Sequence, residues 1–288
     1  MNRLKLRNSF LFISILFLAL INTGCNNQYM AERVLHRASK MAKKIIVSPD
    51  TISPFEFNKA VEAYKTVFTK YPNTWCAKRA RLGLGSLYLA KEKYKTARDV
   101  FEETLRLYPD DRDICLESQF ALGKSYENEG EWESALIEYK KLIKEYPNTK
   151  IGLSLPIYIA QHFEKEKNVI EVQKAYIGAV AFYNKVAEKN RNNLLGFRAE
   201  NLLVRCYIKL EDWEKALDSL RDLAMHYPMA RSVGLTLRMV GDVSINRLKQ
   251  PQKAAEIFKM FLEKFPEHPL KDKLKEGIEE IKNVISAK

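Results

Sequence analysis

Glycine and proline are both scarce in this chain of 288 residues, which contains 11 glycines and 10 prolines. These counts lie below the usual shares of about 7% and 5%, so a loop-rich β-sandwich and a low-complexity chain are disfavoured. With 46% hydrophobic residues and a mean hydropathy of -0.33, the composition also excludes long disordered, collagen-like and polytopic membrane proteins. So few chain breakers in a long chain predict a helical protein.

Long apolar runs are scarce as well, and the clearest one extends from Phe10 to Ile21 near the start of the chain. It follows a segment with three basic residues and no acidic residue. A helix of this length covers about 18 Å, well short of the roughly 30 Å hydrocarbon core of a bilayer. The pattern is therefore that of a signal peptide rather than of a membrane span.

The next five residues, Ile-Asn-Thr-Gly-Cys at 21–25, resemble the lipobox of bacterial lipoprotein signals. The resemblance implies that residues 1–24 are removed, that Cys25 carries acyl chains, and that residues 25–28 form a lipidated cysteine and short tether. Gly24 and Cys25 match the most diagnostic positions, whereas Asn22 stands where leucine is usual. The alternative is an ordinary secretory signal cut nearby, which leaves Cys25 as a plain thiol.

The residue after the lipobox cysteine bears on location. Asn26, rather than aspartate, resembles the default signal for export to the outer membrane. The implied location is the bacterial cell envelope, lipid-anchored, at the outer membrane facing the periplasm.

Prolines that follow tyrosine or phenylalanine recur along the chain with gaps of 37, 38, 81 and 38 residues. They are Pro72, Pro109, Pro147, Pro228 and Pro266. An alanine stands twelve residues before each proline, and an aromatic residue or leucine follows each alanine by four residues. Such fixed recurrence predicts a repeat array. The long gap hides a degenerate unit with Ala179 and Tyr183 in place, so six units end near residues 72, 109, 147, 191, 228 and 266.

Each unit has the pattern of two antiparallel helices, in which apolar residues recur at helical spacing. The aromatic-proline pair ends the second helix because proline disfavours the α conformation in the residue before it. Good N-caps for the next helix follow three of these prolines. They are Asn73-Thr74, Asp110-Asp111 and Asn148-Thr149.

These residues resemble the tetratricopeptide repeat, in which small, aromatic and proline residues hold set positions along a helix pair. Leu84-Gly85 and Leu122-Gly123 precede their repeat alanines by the same distances, while Val204 replaces glycine in the fifth unit. The resemblance implies an all-α, right-handed superhelical solenoid of about six helix pairs. The array is predicted to span residues 29–266, with a C-terminal capping helix in residues 267–288.

No catalytic constellation emerges from the rest of the sequence. Gly83 to Ser86 lies inside a helical pattern and is expected to be a helix-crossing site rather than a phosphate loop. The four histidines are scattered, so no metal and no cofactor is expected. Cys76, Cys115 and Cys206 are expected to be buried small hydrophobic residues, although a bridge between the first two remains possible. The protein is therefore expected not to be an enzyme and to have no small-molecule substrate.

The net charge of +12 becomes +9 when the three positive charges of the signal segment are removed. Basic residues mingle with acids along almost every helix, so nucleic acid is not an expected partner. A solvated surface is the simpler interpretation. The sharper one is attraction to anionic lipid near the anchor through Lys40, Lys43 and Lys44.

In tetratricopeptide repeats the first helix of each pair lines a groove that binds partners, and the resemblance transfers these positions to this chain. They suit an extended peptide with acidic or backbone acceptor groups. The candidate groove residues are Arg79, Leu82, Ser86, Phe120, Lys124, Glu127, Asn128, Arg198, Asn201, Arg205, Lys209, Asn246 and Arg247.

A lipobox followed directly by such repeats resembles the repeat lipoprotein of the outer-membrane β-barrel assembly machinery. The exported repeat domain of the Tol-Pal coordinator is also similar. The implied function is a membrane-anchored, non-enzymatic scaffold that binds envelope proteins through extended peptide segments or partner helices, in outer-membrane protein assembly as the favoured version. The alternatives are a pilus or secretion pilot protein, a Tol-Pal or cell-wall coordinating adaptor, and, least favoured, a cell-wall hydrolase accessory.

Overall fold

The computed structural model describes residues 26–286, and within this range all extended secondary structure is helical. The all-α class predicted from the sequence is confirmed. None of the described helices has both the length and the apolar character of a membrane span. The helices are α1 (residues 26–47), α2 (Pro54–Lys70), α3 (Trp75–Ala90), α4 (Tyr94–Leu107), α5 (Arg112–Glu129), α6 (Trp132–Glu145), α7 (Lys150–Lys165), α8 (Val169–Lys189), α9 (Leu194–Lys209), α10 (Trp213–His226), α11 (Val233–Asp242), α12 (Pro251–Lys264) and α13 (Lys271–Ser286).

The first helix begins earlier than the sequence predicts. Residues 26–28, which were expected to belong to a tether after Cys25, already form the first turn of α1. Cys25 itself and residues 1–24 lie outside the described residues. The predicted lipid attachment and the removal of the signal segment therefore remain predictions.

The aromatic-proline pairs end the second helix of their repeats as predicted. The residue before the proline leaves the helical conformation in the same way at each site, with φ and ψ of -131° and 53° at Tyr71 and -130° and 66° at Phe265. Proline excludes the α conformation from the residue before it, which accounts for this geometry.

Two of the three predicted caps form the expected hydrogen bonds. The side chain of Asp111 accepts from the Ile114 amide at 3.2 Å, and Thr149 Oγ1 accepts from the Gly152 amide at 3.1 Å. Thr74 occupies the N-cap position of α3 without such a bond. Its hydroxyl instead donates to the Tyr71 carbonyl oxygen at 2.8 Å.

The turns inside the helix pairs share one feature that the sequence does not reveal. Each contains a residue with positive φ, and in the described chain only one of these five is a glycine. A left-handed residue ends the first helix and sends the chain back along it. The residues are Glu92, Gly130, Lys167, Glu211 and Lys249.

The described chain divides between Leu142 and Ile143 into two compact units. In the N-terminal unit, α2 packs on α3, α3 on α4 and α4 on α5, as expected for stacked helix pairs. One core cluster joins the buried side of α1 to α2 and α3, and it includes Ala38, Ile45, Phe57, Tyr64 and Leu84. The first predicted unit thus contributes to the same core as the second.

Small residues of the first helices lie under aromatic rings of the second helices. A Cβ atom at Gly85 would lie 2.6 Å from Cζ of Phe101, and one at Gly123 would lie 2.5 Å from Cε1 of Tyr139. Both rings are fully buried. The glycines are therefore needed because the rings occupy the space of any larger side chain, which confirms the predicted helix-crossing site.

In the C-terminal unit, α7 packs on α8, α8 on α9, and α9 on α10. The fifth repeat fills its helix crossing differently, because Val204 replaces the glycine and Leu220 replaces the aromatic residue. Both side chains are buried in one cluster, at 3% and 1% exposure. A larger residue on one helix is thus matched by a smaller one on the other.

The fourth repeat has a longer second helix than its neighbours. α8 contains 21 residues, seven more than the 14 of α6. Counted from the turn, Tyr176 holds the place that Tyr139 has in α6, since each follows the first residue of its helix by seven. The predicted Tyr183 lies seven residues further on, and both tyrosines are buried.

The sixth repeat contains one residue more than the others between its small residue and its alanine. Gly241 precedes Ala254 by 13 residues, whereas Gly85 precedes Ala97 by 12. A π-helical turn from Val243 to Arg247 follows α11 and takes up the additional residue. Single inserted residues are a known cause of π turns, which often occur at functional sites.

Candidate functional site

In the N-terminal unit, the predicted groove residues are largely bound to neighbouring side chains. Nη1 of Arg79 on α3 lies 2.7 and 2.6 Å from the two carboxylate oxygens of Glu117 on α5. Lys124 pairs with Glu127 at 3.0 Å, and the same Glu127 oxygen accepts from the Tyr139 hydroxyl at 2.6 Å. These polar groups hold first helices together or fasten a helix pair.

The remaining predicted residues of this unit are divided between surface and core. Asn128 and Ser86 are exposed, whereas Leu82 is buried and cannot contact a partner. Phe120 is half-buried and lies 6.2 Å from the Tyr139 ring, centroid to centroid. Its main role is therefore packing.

The C-terminal unit presents a different surface on α9. Arg198 and Arg205 are exposed, and neither has an ion pair within residues 26–286. They are seven residues apart, so two helical turns bring both to the same face. Lys209 continues that face and pairs with Glu164 at 2.9 Å, while Asn201 bonds to the Phe197 carbonyl oxygen at 2.7 Å.

The π turn changes which residues of the sixth repeat correspond to this face. Asn246 and Arg247, predicted from the pattern, lie within the turn itself. The Asn246 amide donates to Asp242 at 2.8 Å, and the Arg247 guanidinium carbon lies 4.8 Å from the centroid of the Trp213 ring. Both side chains thus have partners in the same unit.

Counted back across the inserted residue, the equivalents of Arg198, Asn201 and Arg205 in the sixth repeat are Leu235, Arg238 and Asp242. All three are exposed. The sequence contains the signal that could have found them, the spacing of 13 instead of 12 between Gly241 and Ala254.

A hollow of about 330 Å³ between α8, α9 and α10 was not predicted. Its walls include Arg191, Glu200, Asp222 and His226. Glu200 is only 6% exposed; its Oε1 lies 3.0 Å from His226 Nδ1, while Oε2 has no hydrogen-bond partner in the described chain. Burial raises the pKa of the Glu200 carboxyl above its usual value, and the neighbouring histidine only partly opposes this effect.

The cysteines do not form a chemical site. Cys76, Cys115 and Cys206 are all buried free thiols, so no bridge joins the first two. Burial raises the pKa of the Cys206 thiol to about 12, which suppresses its reactive thiolate. Within residues 26–286, no three His, Cys, Asp or Glu side chains are grouped as a metal site requires.

Family comparisons match three parts of the chain. One tetratricopeptide repeat model matches residues 56–112, and a second matches residues 117–149 and 239–268. No curated protein gives a significant sequence match.

Several solved structures resemble the chain at low sequence identity. The TPR2AB domain of yeast Sti1 in its pHSP90 complex is 13% identical with a TM-score of 0.37, over 88% of this chain and 99% of that one. BtubC from P. vanneervenii is 15% identical with a TM-score of 0.39, over 81% and 90%. A tetratricopeptide repeat protein from Parabacteroides merdae is 13% identical with a TM-score of 0.38, over 86% and 99%. In its matched segments the chain carries tetratricopeptide repeats, the helix-pair motif of protein interaction scaffolds.

Proposed function

We propose that this protein is a lipid-anchored scaffold of the bacterial cell envelope, which binds partner proteins through the first-helix face of its C-terminal repeats. The observation that carries the binding role is the pair Arg198 and Arg205, two exposed cations on one face of α9 without ion-pair partners in residues 26–286. A scaffold that did not use this face would leave two long side chains unpaired side by side.

The chemistry of the face suggests the kind of partner. Arg198, Arg205 and, in the next repeat, Arg238 are exposed donors of several hydrogen bonds each. Arginine binds carboxylates with two parallel hydrogen bonds, which gives both strength and orientation. A partner segment with acidic side chains, extended or helical, fits this surface.

The favoured specific role is outer-membrane protein assembly, which rests on the lipobox-like residues up to Cys25 and on the repeats directly after it. A pilus or secretion pilot protein and a Tol-Pal or cell-wall coordinating adaptor remain the alternatives. A hydrolase accessory is less favoured, because residues 26–286 are taken up by helix pairs and contain no catalytic constellation that we could identify.

The binding face is tested by photocrosslinking in the native cells. A benzophenone side chain at Arg205 is expected to give a defined crosslinked product whose partner is identified by mass spectrometry. The same probe at Lys259, which is exposed on the second helix α12, is the control. Purified partner should then lose binding to a variant with Arg198→Glu and Arg205→Glu but not to one with Lys185→Glu and Lys189→Glu. Identical products from both probe positions would refute the proposed face.

The anchor is tested separately. Intact mass is expected to give a mature chain that begins at an acylated Cys25, and Cys25→Ser should release the protein from membranes. Persistent membrane association of that variant would contradict the lipoprotein assignment.

A further inference from the structure

Helix α1 carries an unusual set of charges. Its residues 26–47 include five basic side chains, Arg33, Arg37, Lys40, Lys43 and Lys44, against a single acid, Glu32. Glu32 accepts a hydrogen bond from Gln28 at 2.8 Å. None of the five cations forms an ion pair within the described chain, and all are exposed.

The basic residues of α3 behave in the opposite way. Lys78, Arg79 and Arg81 each pair with a carboxylate of a neighbouring helix or cap, at 2.8, 2.6 and 2.9 Å. Unpaired cations are thus not a general property of this unit. Their concentration on α1 requires its own explanation.

Four of these cations form a straight stripe. Arg33, Arg37, Lys40 and Lys44 follow each other by four, three and four residues, so at 100° per residue they fall within an arc of roughly 60°. The stripe spans about 16 Å along the helix. The opposite side of α1 is buried against the rest of the unit by Ala31, Ala38, Ala42 and Ile45.

Both ends of the stripe carry an exposed apolar or aromatic side chain. Tyr29 is 58% exposed and Val47 is 74% exposed. They are 18 residues apart, which is five helical turns, so both lie on the same side of α1. A shallow hollow of about 550 Å³ adjoins the stripe at Lys40, Lys44 and Val47. Basic residues flanked by such side chains are the pattern of helices that lie in a membrane interface.

We propose that α1 lies flat on an anionic phospholipid surface, with the stripe of Arg33, Arg37, Lys40 and Lys44 against the lipid headgroups. The proposal rests on the proposed anchor at Cys25, which directly precedes the first helical residue and would bring α1 to the bilayer. A flat, continuous array of phosphates matches a straight row of unpaired cations better than a folded acidic protein does. Acyl chains and a basic patch together hold a protein more firmly than one signal alone.

The size of the expected effect follows from the lipid charge. One Lys or Arg near an anionic surface shifts a membrane equilibrium by roughly fivefold. Four such side chains therefore favour the bound orientation by several hundredfold.

The test uses the full-length protein, purified in detergent and reconstituted on vesicles. One set contains phosphatidylcholine only, and the other contains equal parts of phosphatidylcholine and phosphatidylglycerol. A nitroxide is attached at His36→Cys, next to the stripe, because the buried native thiols of residues 26–286 react slowly. Collisions of the label with a water-soluble nickel complex are then measured by electron paramagnetic resonance.

On phosphatidylglycerol vesicles the label should be shielded from nickel, and on phosphatidylcholine alone it should stay accessible. Shielding should disappear near 1 M salt, where the Debye length is about 3 Å. The variant Arg33→Gln, Arg37→Gln, Lys40→Gln, Lys44→Gln should also lose shielding. The matched control Lys185→Gln, Lys189→Gln, Lys273→Gln, Lys275→Gln should keep it, since those lysines are exposed elsewhere.

Equal accessibility on the two kinds of vesicle, or equal loss in the control variant, overturns the proposal. Shielding that appears only after an acidic protein is added overturns it in favour of that protein. Flotation on phosphatidylcholine alone reports on the anchor by itself. A chain that floats only with phosphatidylglycerol would refute the anchor and leave the stripe standing.

Discussion

Nδ1 of His226 lies 3.0 Å from Oε1 of Glu200, and this contact occurs at a carboxylate that is only 6% exposed. Because burial raises the pKa of Glu200, the folded protein holds a proton that the unfolded chain releases. Stability should therefore fall as pH rises from the ordinary glutamate value near about 4.3 through the raised folded pKa.

The first prediction concerns Glu200→Gln. The variant should match the parent protein at low pH, where both side chains are neutral, and should be more stable at neutral pH. Thermal melts over that pH range measure the difference. Glu188→Gln, an exposed acid of the same hollow, is the control and should change little. A Gln variant that is less stable at neutral pH would mean that the ionised pair with His226 stabilises the fold.

The second prediction concerns the glycines under aromatic rings. Gly85→Ala should destabilise the protein by about 1–2 kcal/mol, because the new methyl group would overlap the buried Phe101 ring by more than the helix gains from alanine. Gly178→Ala on α8 is the matched control, since its Cβ would meet no atom within 4 Å. It should stabilise the protein by about 0.5–1 kcal/mol.

Urea unfolding distinguishes the two glycine variants by the sign of the change. Adding Phe101→Leu to Gly85→Ala should recover part of the loss, since the fifth repeat already combines Val204 with Leu220. A loss of the same size in the Gly178 variant would contradict the packing explanation.

The third prediction concerns the left-handed turns. Glu211 has a φ of 56° and Gly130 one of 90°. Glu211→Gly should raise the unfolding free energy by up to about 1 kcal/mol, and Gly130→Ala should lower it by about 1 kcal/mol. Paired denaturation curves in one buffer measure both effects. Opposite signs are required, and a stabilising Gly130→Ala would rule out the conformational argument.

The fourth prediction concerns the thiols. In the folded protein Cys76, Cys115 and Cys206 should react slowly with an alkylating reagent, because all three are buried. After unfolding in guanidinium chloride, all three should react rapidly. Peptide mapping by mass spectrometry identifies each site, and rapid native labelling at Cys206 would contradict the described burial. Cys25 should stay unlabelled in both states if it is acylated.

The helix pairs could be predicted from the sequence because each repeat carries its own local signals. Pro72 and Ala60 mark the end of one second helix, and the same pair recurs in unit after unit. A signal that repeats in phase determines the fold even where one unit, such as the one with Val204, departs from it. The left-handed turn at Glu211 had no such signal, since its residue type is not one that favours positive φ.

The candidate binding site was only partly predictable. Sequence spacing identifies which residues of α9 share a face, so Arg198 and Arg205 could be foreseen. It does not reveal which cations neighbouring helices neutralise, because the pair of Arg79 and Glu117 joins residues 38 positions apart. The same reason hid Glu200, whose burial depends on three helices at once.

The two irregular repeats differ in how many residues they insert, and the helix responds according to its period. Seven residues advance α8 by nearly two whole turns, leaving a mismatch of only about 20°. Tyr183 consequently faces the same core as Tyr176, and the lengthened end supplies Asn184, Ala187 and Glu188 to the hollow beside Glu200. One residue would rotate everything after it by about 100°, which the π turn after Asp242 prevents. Insertions of whole heptads are thus the changes by which such an array could acquire new pockets without turning its existing faces away from their partners.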